Sequence, residues 1–249
     1  MRAAMQTMLH AVFPPQCALC SASVSEPFGI CATCLPDIPF IVGSTCSHCG
    51  APVPDVIGDG DNVSCDDCVD IARPWSRARA VLRYEGLGRQ LVLQLKHADR
   101  VDLAKLAGPW LARAAAPMIE RDTVIVPVPL HNRRLFQRRY NQAALLCQAM
   151  AQSLGARSRL APLALVRPQK TPPLEKASLD ERFSILKGSM RSTGLQAWKL
   201  KDASVLIVDD VMTSGATLAA ATEAAMTGGA GKVSVLVLAR VLKGDPLYH

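Results

Sequence analysis

From about Arg79 onward the chain alternates between two kinds of apolar pattern. The segments RARAVLRYEG (residues 77–86), TVIVPVP (123–129), SVLIVDD (204–210) and KVSVLVLARVL (232–242) are short, β-branched or continuous apolar runs. Such runs predict buried strands. Between them LGRQLVLQLKHA (87–98), VDLAKLAGPWLARAAAPMIE (101–120), NQAALLCQAMAQSLG (141–155) and SGATLAAATEAAMTGG (214–229) space their apolar residues as helices do. Gly155 and the Gly228-Gly229 pair are natural stops for two of them. Strand–helix alternation implies an α/β domain with a parallel sheet covered on both faces. Ligands of such sheets bind beyond the carboxyl ends of the strands. Chemistry is therefore expected after Val208, after Val128 and near the turn around Lys96.

The first 74 residues do not follow this pattern. Eight of the nine cysteines fall there, as four C-x-x-C pairs: Cys17/Cys20, Cys31/Cys34, Cys46/Cys49 and Cys65/Cys68. Adjacent C-x-x-C thiols make poor structural disulfides and good chelating pairs. Two pairs supply the four thiolates of a closed structural Zn²⁺ site. Sequential pairing closes the shorter loops. It gives one zinc on Cys17, Cys20, Cys31 and Cys34, and a second on Cys46, Cys49, Cys65 and Cys68. A redox pair is the weaker reading, and His48 is a bystander when all four pairs are complete. Cys147, alone in an apolar helix, reads as a buried core thiol. The opening MRAAMQTMLHAVFPPQ (1–16) predicts a short amphipathic helix ended by Pro14 and Pro15, not a secretory signal.

Charge divides the chain at the same place. Residues 1–74 carry two basic and eight acidic side chains, a net of −6, which leaves +13 on residues 75–249. A zinc module that grips DNA needs Lys and Arg for the phosphates. This one reads instead as a structural clamp or a protein-docking surface. Rings make up only 4% of the chain, too few for a dedicated base-stacking platform. No apolar run reaches the length of a membrane span, so a cytoplasmic protein without one is expected.

One motif is specific. Residues 205–218 read VLIVDDVMTSGATL: a buried strand, the acidic pair Asp209-Asp210, a loop of small and hydroxylated residues, then a helix. Thr213, Ser214, Gly215, Ala216 and Thr217 form a phosphate cradle at a helix N-terminus, where free N–H groups and the helix dipole favour an anion. Two carboxylates beside a phosphate need other work, such as accepting hydrogen bonds from vicinal hydroxyls or holding Mg²⁺. A ribose 5-phosphate satisfies both demands. A receiver domain also opens with paired acids, but it needs an acceptor Asp ending a later strand. The later acids here, Glu223 and Asp245, do not end strands. No G-x-x-x-x-G-K-[ST] or G-x-G-x-x-G is present.

The acidic motif resembles the ribose-phosphate motif of type I phosphoribosyltransferases. The order of multi-cysteine module, LKHADR (95–100), IVPVPLHNRRLFQRRYNQAALL (125–146) and acidic motif resembles the ComF family, associated with natural competence and DNA uptake. The resemblance covers nearly the whole chain. It implies an N-terminal helix (1–16), a double zinc ribbon (17–74) and a phosphoribosyltransferase-like domain (75–249). It also implies phosphoribosyl pyrophosphate with Mg²⁺ as ligand, and single-stranded DNA and a competence helicase as partners. Asp209 and Asp210 would be the catalytic pair that fixes the sugar, with Asp210 also acting on a substrate proton, and Lys96 would contact pyrophosphate. The chain departs from the family's pattern in places. The family's Arg-Gly-Phe-Asn-Gln appears as Arg138-Arg139-Tyr140-Asn141-Gln142, without its glycine. The Thr-x-x-Gln and Arg-x-x-Asn of the hood loop appear as Thr171-Pro-Pro-Leu174 and Arg182-Phe-Ser-Ile185.

The basic cluster Arg133, Arg134, Arg138 and Arg139 has three readings: pyrophosphate contact, nucleic-acid backbone contact or solvated surface. Asn141 and Gln142 open a helix, either as cap or as ligand contacts. Arg167, Lys170 and Arg182 reach the site if the 167–190 loop closes. Two function classes follow: a phosphoribosyltransferase, or a non-catalytic phosphoribosyl-ligand sensor or DNA-uptake scaffold acting with a helicase.

Overall fold

The computed structural model describes residues 14–54, 63–97, 100–172, 177–193 and 195–244. Most of the expected N-terminal helix, Leu174 and Asp245 lie outside them. Strand β1 (Arg77–Arg83) is followed by helices α1 (Gly86–His97) and α2 (Asp102–Ala115), then β2 (Val124–Pro127). Helices α3 (Asn132–Arg138) and α4 (Gln142–Ser153) lead to a small antiparallel pair, β3 (Leu165–Val166) with β4 (Arg191–Ser192), which brackets α5 (Leu179–Leu186). The chain closes with β5 (Ser204–Met212), α6 (Ala216–Thr227) and β6 (Lys232–Arg240). Among the described residues no helix is long and apolar enough to cross a membrane.

The main sheet has the order β1-β6-β5-β2, all parallel. Its central strands are apolar on both faces because helices cover both. On one face α1, α2 and α4 bury Leu91, Leu95, Leu103, Leu111, Leu146 and Met150. On the other, the alanine-rich α6 packs flat, with Ala219, Ala220, Ala221 and Ala225 against Val205, Ile207, Val235 and Val237. Strand β5 runs past the acidic pair to Met212 rather than ending at it. The reason is its neighbour, since β6 stays in register with β5 as far as the Met212–Arg240 pair.

The cysteine module wraps around the β1 edge and contributes to both cores. Ala18 and Ile38 join the first; Cys46, Cys49, Ala51 and Trp75 join the second. Between them a strap at 39–41 pairs antiparallel with β1. Ile41 N–H donates to Val81 O at 2.9 Å, and Arg83 N–H donates to Pro39 O at 2.8 Å. Phe40 meets Trp110 edge to face, with ring centroids 5.0 Å apart. At the opposite edge Ala161 N–H donates to Ile125 O at 2.9 Å, and Leu160 bridges to β2.

Candidate functional site

The eight N-terminal cysteines gather as two clusters, Cys17/Cys20/Cys31/Cys34 and Cys46/Cys49/Cys65/Cys68, with the sulfurs of each within 4.8 Å of one another. This is the sequential pairing. Cys20 and Cys31 sulfurs are 3.5 Å apart, as are those of Cys49 and Cys65. Four thiolates about 2.3 Å from one tetrahedral ion stand about 3.8 Å from each other, so both clusters fit a structural Zn²⁺. The thiols cannot all ionise without a cation. Hydrogen bonds that the Cys34 thiol donates to Cys20 and Cys31 push it up to about 12, and burial and the nearby Cys49 push Cys65 up to about 12. His48 belongs to neither cluster.

The second assembly lies at the carboxyl end of the sheet. A cavity of about 320 Å³ is lined by Asp209 and Asp210 of β5, Thr213 and Thr217 of the loop and α6, Lys96 of α1, and Asn141 and Gln142 of α4. Arg138 at the end of α3, Arg167 after β3 and Arg182 of α5 complete its polar wall. These are the three positions expected from the strand ends. Four cations therefore face two carboxylates, which gives a site for a polyanion that also carries hydrogen-bond donors.

Each side chain is held by a local device. The Lys96 ammonium pairs with Asp210 Oδ2 at 3.3 Å, both largely sheltered. Asp209 Oδ1 accepts from the Asp210 N–H at 2.8 Å. Burial, with the Asp210 charge beside it, still pushes the Asp209 carboxyl up to about 7 from an ordinary 3.8. Asn141 is a helix cap and a brace at once. Its Oδ1 accepts from Ala144 N–H at 3.4 Å and its Nδ2 donates to Val128 O at 2.9 Å. Gln142 is 2% exposed; its Oε1 accepts from Arg138 at 3.5 Å, while its Nε2 is buried and has no hydrogen-bond partner among the described residues. A buried amide donor at the cavity wall leaves room for an oxygen acceptor there. Cys147 is 1% exposed in α4, its thiol pushed up by burial and by Asp209.

The loop between β5 and α6 opens onto the N-terminus of α6. Gly215 caps α6 with a left-handed backbone (φ 86) and no side-chain cap. The Ser214 hydroxyl turns inward and accepts from Ala216 N–H at 3.4 Å. Thr213 and Thr217 thus remain as the loop hydroxyls lining the cavity.

The basic cluster divides. Arg138 lines the cavity, whereas Arg133 is exposed on α3, away from the cavity lining, with its N–H donating to His131 Nδ1. The side chain of Arg134 lies outside the described residues. Arg139 is exposed with φ 64, the left-handed conformation for which the family's glycine is suited. An arginine there retains the turn at about 1 kcal/mol of strain. Lys170 is exposed, while Arg167 and Arg182 reach the wall.

Two arginines behind the loop escaped the sequence reading. Arg240 is 1% exposed, and its Nη1 donates to Met212 O at 3.2 Å and to Thr213 O. The Nη1 of Arg73 donates to Ser214 O. Arg240 had a signal, because it is the one charge inside the apolar run VSVLVLARVL. Arg73 sits in an irregular stretch and had none.

A double zinc ribbon domain model matches residues 8–69, and a phosphoribosyl transferase domain model matches residues 142–246. DNA utilization protein YhgH of Salmonella typhi is 31% identical over 236 residues, covering 92% of this chain and 98% of its own length. Its Escherichia coli K12 counterpart is 29% identical over the same coverage. A phosphoribosylpyrophosphate synthetase from Mycobacterium smegmatis matches at 19% identity over 57% of this chain and 35% of its own, with a TM-score of 0.33. With a double zinc ribbon, a phosphoribosyltransferase domain and relatives matched end to end, the chain belongs to the ComF family.

Proposed function

We propose that the cavity at the end of β5 binds phosphoribosyl pyrophosphate with Mg²⁺. The observation that carries this reading is the convergence of Lys96, Arg138, Arg167 and Arg182 on Asp209, Asp210 and the 213–217 loop. The loop takes the 5-phosphate through its N–H groups and the hydroxyls of Thr213 and Thr217. Asp209 and Asp210 accept from the ribose hydroxyls, and Gln142 Nε2 donates to a sugar or phosphate oxygen. The four cations face the pyrophosphate. The carboxylates are hard oxygen donors and fit a Mg²⁺ held mainly by the ligand, which supplies charge neutralisation on the departing pyrophosphate.

The corresponding reaction joins a nitrogen nucleophile to C1 of the ribose as the C1–O bond to pyrophosphate breaks. The cationic wall stabilises charge on the leaving group and the loop holds the sugar still. Asp209, with its carboxyl raised to near neutrality, is the better placed of the acidic pair to take the nucleophile's proton, because Asp210 is engaged by Lys96. The relatives' name, DNA utilization protein, supports a setting in DNA uptake or use. Single-stranded DNA and a helicase partner rest on the family resemblance. Binding without turnover is the second reading, favoured by the apolar Ile185 in a hood where the family has an amide.

Calorimetry with phosphoribosyl pyrophosphate and Mg²⁺ tests the reading. The wild type gives saturable heat, and Asp209→Asn/Asp210→Asn weakens binding at least about tenfold. Absence of heat with zinc-loaded wild type rejects it. The pH dependence has a definite sign. Folded Asp209 keeps its proton up to about 7, against 3.8 ordinarily, so its contribution to stability is full below about 4 and is lost as pH rises through 7. Ligand hydroxyls need the ionised form, so affinity strengthens about tenfold per unit as pH rises toward 7 and then levels. Asp209→Asn flattens that slope.

A further inference from the structure

Two side chains, Arg73 and Trp75, join the second cysteine cluster to the phosphate loop. The Trp75 indole Nε1 donates to the carbonyl of His48, inside the Cys46–Cys49 knuckle, at 2.7 Å. The Arg73 guanidinium lies over the Trp75 ring, 5.6 Å from its centroid, and donates to Ser214 O. The pair fills the space behind Gly215. A Cβ built there would stand 2.7 Å from Arg73 Nη1 and 3.2 Å from Trp75 Cη2. The loop is therefore moulded on its outer side by the ribbon.

The consequence for the loop follows from peptide geometry. The carbonyl of Ser214 and the N–H of Gly215 belong to one planar trans unit and point opposite ways. Turning the carbonyl back toward Arg73 turns the N–H forward. Arg240 does the same for the two preceding units through Met212 O and Thr213 O. Of the two arginines, only Arg73 depends on the ribbon for its seat. Its Nε and Nη2 are buried and make no hydrogen bond among the described residues, and its side chain also interacts with Cys68. A zinc ion on four thiolates carries a net charge of −2, half of which a guanidinium beside it offsets.

We infer that Arg73 is a positioning residue that couples the second four-cysteine site to the phosphate loop, so that metal in one and phosphoribosyl ligand in the other strengthen each other's binding. This rests on the proposal that the 213–217 loop binds a phosphate. A metal-filled knuckle fixes His48 O, hence Trp75, hence Arg73, hence the Gly215 N–H. Coupling of this kind is reciprocal: the factor by which zinc tightens the ligand is the factor by which the ligand tightens zinc.

The test uses the full chain with two zincs, phosphoribosyl pyrophosphate with Mg²⁺ as probe, and zinc withdrawal by graded chelator at equilibrium. In the wild type the ligand moves one of the two zinc transitions to about tenfold higher chelator, and leaves the other in place. Arg73→Ala retains two zincs, binds the ligand about tenfold more weakly, and no longer shifts either transition. Arg73→Lys, with the charge but a single donor group, recovers part of the shift. Trp75→Phe keeps a smaller aromatic ring, loses the donor to His48 and part of the packing behind Gly215, and gives a partial loss of coupling; it serves if Arg73→Ala folds poorly. Wild-type binding that leaves both transitions unmoved overturns the inference while sparing the ligand assignment, as does an undiminished shift in Arg73→Ala. No wild-type binding at all overturns both.

Discussion

In the first cysteine site the knuckle 17–20 turns at Ser21, and in the second the knuckle 46–49 turns at Gly50. Both residues have a left-handed backbone, φ 65 and 71. Ser21 N–H donates to Cys17 O at 3.0 Å, and Gly50 N–H to Cys46 O at 2.9 Å. The flanking bridges, Gln16–Ser23 and Thr45–Pro52, are equivalent as well. One local plan is used twice, but the surroundings differ. Cys17 is buried but Cys20 is exposed, whereas Cys46 and Cys49 are both 0% exposed and pack with Trp75, Ala216 and Leu218. Ser21 is exposed, while a Cβ on Gly50 would stand 2.7 Å from the Ala80 nitrogen of β1. The first knuckle touches one core through Ala18 and leaves Cys20 at the surface; the second buries both of its cysteines in the other core. The residue after the second cysteine records that difference.

Metal removal should separate the two most strongly. Cys46→Ser/Cys49→Ser places hydroxyls in a core that also loses its zinc, and should destabilise the α/β domain by at least about 5 kcal/mol, lowering its thermal midpoint by more than about 10 °C. Cys20→Ser/Cys31→Ser should lose one zinc per chain and move that midpoint by no more than about 4 °C, followed by circular dichroism and metal analysis. Equal damage from both pairs would break the comparison. Exchange of the turn residues sharpens it. Gly50→Ser adds a left-handed penalty to a backbone clash and should cost about 3 kcal/mol in denaturant unfolding. Ser21→Gly, the reverse change where space is open, should alter stability by less than about 1 kcal/mol.

Parts of the molecule that were legible in the sequence share a property: their signal is contiguous. Helices α1, α2, α4 and α6 and strands β1, β2, β5 and β6 each carry their period within one segment. Asp209, Asp210 and the 213–217 loop stand in a row, so their joint meaning could be read. Helices α3 and α5, of seven and eight residues, are too short to show a period. The expected cysteine pairing followed from spacing alone. Arg73 and Arg240 act on carbonyls 141 and 28 residues away, a relation that only folding creates. Arg133 had the right charge and neighbours, but the turn of α3 points Arg138 to the cavity and leaves Arg133 at the surface.

The strap at 39–41 has a bearing on truncation. A four-stranded parallel sheet leaves bare hydrogen-bonding groups along its outer strands, an invitation to intermolecular pairing. Here the stretch linking the two cysteine knuckles covers one border, and residues 160–161 cover the other. Cutting the chain at residue 74 to liberate the α/β domain would strip β1 of its cover. The expected product is a sticky oligomer rather than a smaller folded protein.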